Sequence, residues 1–471
     1  MIRVDKSIDI PLYKQVYESV RRDILDGVWK PGEKIPSIRN MMSDLDVSRN
    51  TVVNACQQLY AEGYIESRHG AGYFVSDISF DVLRRPSAND TEPKRLEEPR
   101  EEPPRQYACD FSYGNLHPAT FPMNTWRKLA NEVLNDGNAF GMTSYGDYRG
   151  DARLRYEIAR YLERSRGVTC SIDQIVLTSG VQQSVERLLK LFNPSNDGFA
   201  MEEPGFQGVR TVALDSGFRL ETFPSDAPGD TWLDVLADKD FKIAYVTPAN
   251  QMPMGTYQTL DERMRLLELT LKKDAYLLED DYDSIYRFNM LPIPTLRSLD
   301  RWGRVIYMGT FSKVVSPALR IGYLVLPQEL LAHYCARFER YRCTVPWLEQ
   351  EVLRLFMQRG YLERHARRIE LDVRSRHDAL VTELKRQMPP EVSVIGSESG
   401  LHLLAHVRNG MNQEQLVAAA ERNGVRVMGT RRYWNDPADA PDDLVMLGYA
   451  SARKNEIPEG VRLLRETWFS A

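Results

Sequence analysis

The sequence predicts a multi-domain protein in which a small helical unit ending in a β-hairpin precedes a large α/β unit. Three observations support this division. The 471 residues exceed the size of one hydrophobic core. Residues 77–106 are rich in proline and charge, and beyond residue 107 strand-like apolar runs alternate with helical stretches. We therefore expect domains at 1–76 and 107–471, joined by a flexible linker.

Composition narrows the class of protein. No apolar run approaches the roughly 20 residues that span a bilayer, so no membrane association is expected. The five cysteines form no CxxC pair, which favours reduced thiols in a cytoplasmic chain without a zinc or other metal site. The net charge of −5 excludes a protein coated with positive charge, but it allows a local basic face.

The predicted linker is marked by prolines that alternate with charged and small polar residues, namely Pro86, Pro93, Pro99, Pro103 and Pro104. Proline stiffens a chain toward extended geometry, and polar residues offer little surface to bury. We expect this segment to hold two domains apart while letting them reorient. A long surface loop is the alternative.

The small unit begins with apolar residues at a four-residue spacing, which predicts one face of a helix ending at Gly27: Leu12, Val16, Val20 and Ile24. Ser37 is expected to cap a short helix through 44–45. Ser48 is expected to cap a second helix that ends near 62–63. Two short helices around a tight turn make a helix-turn-helix.

The segment 64–75 alternates around a glycine-containing turn and predicts a β-hairpin with Arg68 and His69 near its tip. The hairpin makes the unit a winged helix-turn-helix. Arg49, Asn50 and Thr51 begin the second helix, where side chains can reach base edges and free backbone amides can face phosphates. This unit is therefore expected to bind DNA.

Residues 11–75 resemble the GntR family of bacterial regulators in the segments PGEKIPSIRNMM, VSRNTVVNACQQLYAEGYIE and GAGYFV. The resemblance implies DNA contacts or support from Ser37, Arg39, Ser48, Arg49, Asn50, Thr51, Arg68 and Gly70. Residues 1–76 contain ten Lys or Arg and ten Asp or Glu, so affinity must come from clustering on one face. We expect tight binding to double-stranded operator DNA to require a homodimer.

The large unit has strand-like runs at 174–178, 242–246 and 275–278, between helical stretches. This order predicts an α/β sheet with helices on both faces, and ligands of such sheets bind beyond the carboxyl ends of strands. Gly180 lies in a turn after the first run, before a helix expected over 184–192, where backbone amides could bind a phosphate.

Three further segments follow strands. Phe206 could stack on a flat ring, although a core role is more common for phenylalanine. The acids of 279–283 would be costly to bury unless a cation such as a pyridinium nitrogen needs them; Mg²⁺ is the rival, disfavoured by Tyr282. The last segment supplies hydroxyls, an amine and a guanidinium suited to an aldehyde and a phosphate: Thr310, Ser312, Lys313 and Arg320.

Together these segments resemble the fold-type I aminotransferases over about residues 107–471. The resemblance implies pyridoxal 5'-phosphate as the cofactor, with Lys313 forming the internal aldimine. It also implies that Asp280 pairs with the pyridine nitrogen, Tyr282 binds the ring hydroxyl and Phe206 stacks on the ring. The implied phosphate ligands are Val181, Gln182, Thr310, Ser312, Arg320 and Tyr145 of the partner subunit.

Two positions depart from the enzyme pattern. Met252 stands where such enzymes carry the asparagine of an Asn-Pro-Thr-Gly segment, and Asn250 or Gln251 is expected to compensate. Residues 444–450 contain no arginine before the Gly-Tyr-Ala run, where the enzymes bind an amino acid's carboxylate. Candidate effector-binding residues elsewhere are Asn115, Arg210, Arg426, Arg431 and Arg432.

The two halves in one chain resemble the MocR/GabR-type transcriptional regulators. The leading hypothesis is a DNA-binding regulator that senses an amino-acid-like effector, or pyridoxal phosphate itself, through aldimine chemistry at Lys313. An active aminotransferase with an appended DNA-binding domain is the alternative, and residual transaminase activity stays open. A body that has lost the cofactor and only dimerises is disfavoured by the intact lysine, aspartate, tyrosine and arginine.

Overall fold

The computed structural model describes residues 4–77, 107–136, 139–224, 231–288 and 293–469, with the backbone alone at 139 and 140. The chain divides into two units, residues 1–103 and 104–471. Apart from its first residue, the linker predicted over 77–106 lies outside the described residues. The two units are therefore described separately.

The smaller unit is the predicted winged helix-turn-helix. Its elements are Leu12–Leu25 (α1), Ile38–Leu45 (α2), Arg49–Ala61 (α3), Ile65–Arg68 (β1) and Gly72–Val75 (β2). Strands β1 and β2 pair antiparallel as the wing. The hydroxyls of Ser37 and Ser48 cap α2 and α3 as predicted, each accepting a backbone N–H at 3.2 Å. The buried Val52 and Leu59 of α3 share one apolar core with Val16 of α1.

The helices of the larger unit are Met123–Asn135 (α4), Ala139–Thr143 (α5), Ala152–Arg166 (α6), Val181–Leu189 (α7), Gln207–Asp215 (α8), Thr231–Asp238 (α9), Leu260–Lys272 (α10), Leu296–Leu299 (α11), Gln328–Phe338 (α12), Trp347–Gln358 (α13), Tyr361–Gln387 (α14), Gln413–Arg422 (α15) and Ile457–Phe469 (α16). Its strands are Cys109–Asp110 (β3), Ile175–Thr178 (β4), Gly198–Glu203 (β5), Arg219–Pro224 (β6), Ile243–Val246 (β7), Tyr276–Asp280 (β8), Val305–Thr310 (β9), Gly322–Val325 (β10), Val392–Ile395 (β11), His402–Val407 (β12), Val425–Arg426 (β13), Met428–Gly429 (β14) and Leu444–Gly448 (β15).

The main sheet has, in the described part of the chain, seven strands in the order β4-β10-β9-β8-β7-β5-β6. Strand β10 runs antiparallel to both neighbours, and the other pairs are parallel. Alternate residues of one strand enter different cores: Ile175 and Leu177 pack with α4, α6 and α13, whereas Val176 packs with α7, α8 and α12. Helices therefore cover both faces, which confirms the predicted α/β class.

The helix after Gly180 begins three residues earlier than predicted, at Val181, and ends at Leu189. Gly180 adopts a φ of +98° and is the residue before the helix. Ser184, which the prediction took as the start, is buried inside the helix. Its hydroxyl lies 2.7 Å from that of Thr178 at the end of β4, so the hydroxyl ties the helix to the strand instead of capping it.

A loop over 247–255 contacts the segment between β11 and β12. Gly255 and Gly396 both have φ near +70°, and a Cβ on Gly255 would lie 2.6 Å from the Cα of Gly396. His402 hydrogen-bonds the carbonyl of Pro253 at 2.7 Å, and the hydroxyl of Ser399 donates to Asn250 at 3.1 Å. These contacts fix the loop against the smaller sheet, whose order is β11-β12-β15-β14.

We expect Gly255→Ala to destabilise the larger unit more than Gly303→Ala does. Both glycines have a φ of +71°, so either alanine costs about 1–2 kcal/mol for its left-handed backbone. Only Gly255 would also bring a methyl group against backbone atoms, which adds about 1–3 kcal/mol, whereas the nearest atom at Gly303 is 4.0 Å away. Scanning calorimetry of the two variants measures the difference, and equal losses would contradict the close packing of the loop.

Candidate functional site

A cavity of about 250 Å³ lies beyond the carboxyl ends of β7, β8 and β9. Eight of the residues predicted to bind a cofactor line it: Val181, Phe206, Asp280, Tyr282, Thr310, Ser312, Lys313 and Arg320. The other lining residues were not predicted as cofactor ligands: Tyr113, Gly114, Tyr245, Met252, Met308, Gly309 and Pro317. The strand order therefore brings together segments that are separated by up to about 200 residues in sequence.

Lys313 follows β9 and extends its amine into this cavity. The amine lies 3.3 Å from the carbonyl oxygen of Gly114 and 4.5 Å from the centre of the Tyr113 ring. Loss of water lowers its pKa to about 8, although the charges of Asp283 and Asp280 oppose the lowering. More of this amine is unprotonated near neutral pH than in an ordinary lysine, and the unprotonated form is the nucleophile.

Asp280 ends strand β8 and is buried. Its Oδ2 accepts a hydrogen bond of 2.8 Å from the Tyr245 hydroxyl on β7. Burial raises the pKa of the carboxyl group to about 7, because an isolated charge is costly without water. A cation placed against the carboxyl group would favour its ionised form, so the geometry suits a cationic ligand atom.

The Tyr282 hydroxyl is oriented by two hydrogen bonds with Asn250. It donates to the carbonyl oxygen of Asn250 at 3.0 Å and accepts from the side-chain amide of Asn250 at 3.2 Å. That amide also reaches Asp283 at 2.5 Å. Asn250 was predicted to bind the cofactor, but it does not line the cavity and instead orients Tyr282. Met252 is the residue of this loop that lines the cavity wall. Gln251 donates to backbone carbonyls at Pro204 and Met252 instead of filling the asparagine's place.

The opposite end of the cavity is suited to an anion. Helix α7 begins there at Val181, and Gln182 is its second residue, so both backbone amides lie in the first turn. Gly180 has a φ of +98°, which favours glycine, and a Cβ there would lie 2.7 Å from a guanidinium nitrogen of Arg320, which would then have to move. Arg320 also donates to the carbonyl of Ser179 at 2.9 Å.

Tyr145 does not line the cavity of its own chain. Its side chain is 81% exposed, and the centre of its ring lies 5.4 Å from the guanidinium carbon of Arg342. Its predicted action on the cavity of the partner subunit stays a prediction.

None of the five predicted effector-binding residues lines the cavity. Arg210 was predicted as a candidate to bind the carboxylate of an effector. It is buried and donates to the carbonyl oxygens of Gly205, Arg432, Tyr433 and Trp434, so its guanidinium is not free for that role. Arg431 pairs with Glu414 and Asp442, and Arg426 lies 3.7 Å from Asp110. Arg432 and Asn115 are exposed.

Sequence reasoning missed Tyr245, Tyr113 and His402. His402 is buried edge-on against Tyr113, with ring centres 4.9 Å apart, and burial lowers its pKa to about 4. It is therefore neutral at pH 7. Tyr245 left one usable signal, because its hydroxyl is the only polar side-chain atom in the otherwise apolar strand β7.

The acids around Asp280 have separate partners. Glu279 accepts backbone N–H groups of Leu296 and Arg297 at 2.9 Å each, and Asp281 binds Arg166 at 2.6 and 3.0 Å. Over the described ranges, no group of three or more His, Cys, Asp or Glu side chains could hold a metal ion. In the same ranges no helix is long and apolar enough to cross a membrane.

The candidate DNA-binding face lies on the smaller unit. Arg49 and Asn50 are exposed in the first turn of α3, and Arg39 is exposed near the start of α2. Neither arginine forms an ion pair within the described residues. Ser48 and Thr51 bond each other at 2.8 Å. Arg68 is partly neutralised by Glu66 and packs 4.4 Å above Phe74, and Gly70 lies in the turn of the wing with a φ of +72°.

Two family models match separate parts of the chain. Residues 12–75 match the bacterial regulatory proteins of the gntR family, and residues 110–433 match the aminotransferases of class I and II. Among solved structures, kynurenine aminotransferase of Pyrococcus horikoshii is 26% identical with a TM-score of 0.70, covering 78% of this chain and 92% of that one. The α-aminoadipate aminotransferase LysN of Thermus thermophilus, complexed with N-(5'-phosphopyridoxyl)-L-leucine, is 25% identical with a TM-score of 0.69, covering 77% and 92%.

Similarity to curated relatives extends over both units. The probable rhizopine catabolism regulatory protein MocR of Rhizobium meliloti is 32% identical, covering 100% of this chain and 96% of the relative. The pyridoxine biosynthesis regulator PdxR of Corynebacterium glutamicum is 29% identical, covering 93% and 91%. The chain therefore belongs to the MocR-type transcriptional regulators, in which a GntR helix-turn-helix domain precedes an aminotransferase-like domain.

Proposed function

We propose that this protein is a homodimeric cytoplasmic regulator that binds pyridoxal phosphate at Lys313 and changes its affinity for operator DNA when a small-molecule effector enters the same cavity. The proposal rests on one observation: the same chain contains both a candidate cofactor cavity and a candidate DNA-binding face. It has a half-buried lysine that lines one cavity with Asp280 and Tyr282, and an exposed arginine, Arg49, at the start of α3. Regulators similar over the whole chain support the same function.

The cavity residues fit the cofactor. The anion end, where Gly180 leaves room beside Arg320, suits a phosphate. Asp280 is the carboxyl group in the cavity lining and suits a cationic ring nitrogen, and Gly208 leaves room for the Phe206 ring, since a Cβ there would lie 2.8 Å from it. Pyridoxal phosphate, when bound, supplies an aldehyde that reacts reversibly with amines and a ring that withdraws electrons.

Some residues of the cavity would bind the cofactor, and others would exclude water from it. Arg320, Thr310, Ser312 and the first turn of α7 would bind the phosphate, and the amine of Lys313 would be the group that reacts with the aldehyde. Tyr282, oriented by Asn250, hydrogen-bonds the ring hydroxyl. The Tyr245 hydroxyl donates a hydrogen bond to Asp280. Met252, Tyr113 and Phe206 cover the ring with apolar and aromatic surface.

Regulation follows from differential affinity. An effector changes operator binding only if it binds one arrangement of the dimer better than another. The smaller unit carries balanced charge, so one copy binds weakly and two copies on two half-sites bind tightly. Altering how the two copies meet their half-sites is therefore enough to change affinity.

We expect the purified wild type, supplied with pyridoxal phosphate, to show the visible absorption band of a lysine-linked cofactor. Lys313→Ala removes the amine and should lose the band. Lys190→Ala removes an exposed lysine, paired with Glu186 at 2.7 Å, and should keep it. Absence of the band in the reconstituted wild type would refute the proposal.

Turnover separates a regulator from an active aminotransferase. We expect keto-acid formation from a panel of amino-acid donors to stay near one equivalent per cofactor, because Met252 replaces a hydrogen-bond donor to the ring. Rapid multiple turnover by the wild type would favour an enzyme with an appended DNA-binding domain.

The reactivity of the Lys313 amine should rise with pH around a midpoint of about 8, compared with about 10.4 for an ordinary lysine. Competitive labelling with acetic anhydride, read by mass spectrometry with other lysine peptides as internal standards, measures this midpoint without cofactor. Asp283→Asn removes a negative charge that favours the ammonium form, so its midpoint should be lower still. A wild-type midpoint near 10 would contradict the buried environment.

DNA binding should depend on Arg49. We expect Arg49→Ala to weaken binding to a duplex selected from a random pool by about 1–3 kcal/mol, because it removes a cation from the recognition helix. Lys14→Ala removes an exposed cation on α1 and should change binding much less at the same salt concentration. If Arg49→Ala and Lys14→Ala lost the same amount of DNA affinity, α3 would not be the recognition helix.

A further inference from the structure

We propose that the effector is a small primary amine that lacks a carboxylate. This inference rests on the proposed function and narrows its effector class. It follows from what surrounds the amine of Lys313 on the side away from the phosphate end.

Residues 444–450 contain no arginine, and the side chains there that face the cluster behind the cavity wall are apolar. Met446 lies on β15 two residues before Gly448 and is fully buried. It packs in one cluster with Met252, Leu404, Tyr433 and Trp434, and the Tyr433 hydroxyl lies 3.7 Å from its sulfur. Because Met252 lines the cavity and Tyr113, Phe206 and Tyr282 pack against the same cluster, a ligand bound beside Lys313 meets thioether and aromatic surface.

Four cations in or near the cavity are already engaged. Arg320 and Lys313 are the cationic side chains in its lining, and the phosphate and the cofactor aldehyde occupy them. Arg166, behind the cavity, binds both oxygens of Asp281 at 2.6 and 3.0 Å. Arg210 is surrounded by four backbone carbonyls. None of these guanidinium groups can turn to a ligand without leaving its own partners buried and unpaired.

The other groups around the amine also offer a carboxylate no countercharge. Asp280 and Asp283 are buried and act electrostatically on the Lys313 amine. His402, packed on Tyr113, uses one ring nitrogen for the Pro253 carbonyl, and its other ring nitrogen is buried without a partner. It is neutral and gives a carboxylate no countercharge. A carboxylate would therefore be buried among carboxyl groups and apolar side chains, which is costly, whereas an amine with an uncharged remainder matches the wall.

The test uses the full-length holoprotein and four matched pairs that differ by one carboxylate: isobutylamine and valine, isoamylamine and leucine, phenethylamine and phenylalanine, ethanolamine and serine. Each compound is titrated while the absorption band and the affinity for the selected duplex are followed. We expect at least one amine to change both readouts at a concentration at least about tenfold below that of its amino acid, a difference of about 1.4 kcal/mol.

Amino acids that act at equal or lower concentration than their amines would overturn this inference. If the band forms in the wild type and is lost in Lys313→Ala, the proposed function survives that result. Absence of the band would instead refute the proposed function itself, so the two failures are distinguishable.

A pair of variants tests the role of Met446. Met446→Arg places a guanidinium in the cluster that contains Met252 and should shift the preference toward the amino acid, whereas Met446→Leu keeps an apolar side chain and should retain the preference for the amine. An unchanged ratio in a Met446→Arg protein that still shows the band would contradict the role assigned to Met446. If that variant does not fold, the wild-type pairs decide the inference.

Discussion

The central physical constraint in this protein is the burial of a lysine amine together with carboxyl groups at the carboxyl edge of the main sheet. Loss of water moves each group toward its neutral form, the pKa of Lys313 down to about 8 and that of Asp280 up to about 7. Neither group is tolerable there alone, and Tyr245 supplies the hydrogen bond that Asp280 would otherwise receive from water. The surrounding loops are what keep the water out.

One of those loops connects the cavity to the smaller sheet. Met252 lines the cavity, while its neighbours Asn250 and Pro253 are bonded to Ser399 and His402. A ligand that displaces Met252 therefore acts on contacts of both sheets. Close backbone packing at Gly255 makes this connection stiff, and a stiff, well-packed contact transmits a shift instead of absorbing it.

The fold, and the gathering of Asp280, Tyr282 and Lys313 at one cavity, could be predicted from the sequence because both depend on local signals. Caps such as Ser48 and apolar strand runs mark the elements, and the carboxyl ends of parallel strands must meet at one edge. Which arginine binds an effector could not be predicted from the sequence for a physical reason. Arg210 is bound by carbonyls from residues more than 220 positions away, and no local pattern distinguishes a guanidinium bound to backbone from one bound to a ligand. The hydroxyl of Tyr245 in an apolar strand indicated a polar contact, but its partner, Asp280, lies 35 residues away in sequence.

Linkage limits what this architecture can do. If an effector changes the affinity for operator DNA by some factor, the DNA must change the affinity for the effector by the same factor. If the cavity binds its proposed cofactor through several groups, little polar binding energy is left for a small amine, and discrimination would come from the apolar wall at Met252, with Met446 in the same cluster. An apolar wall rejects a charged competitor more strongly than it favours its own ligand. The site is therefore better suited to excluding abundant amino acids than to binding any amine with high affinity.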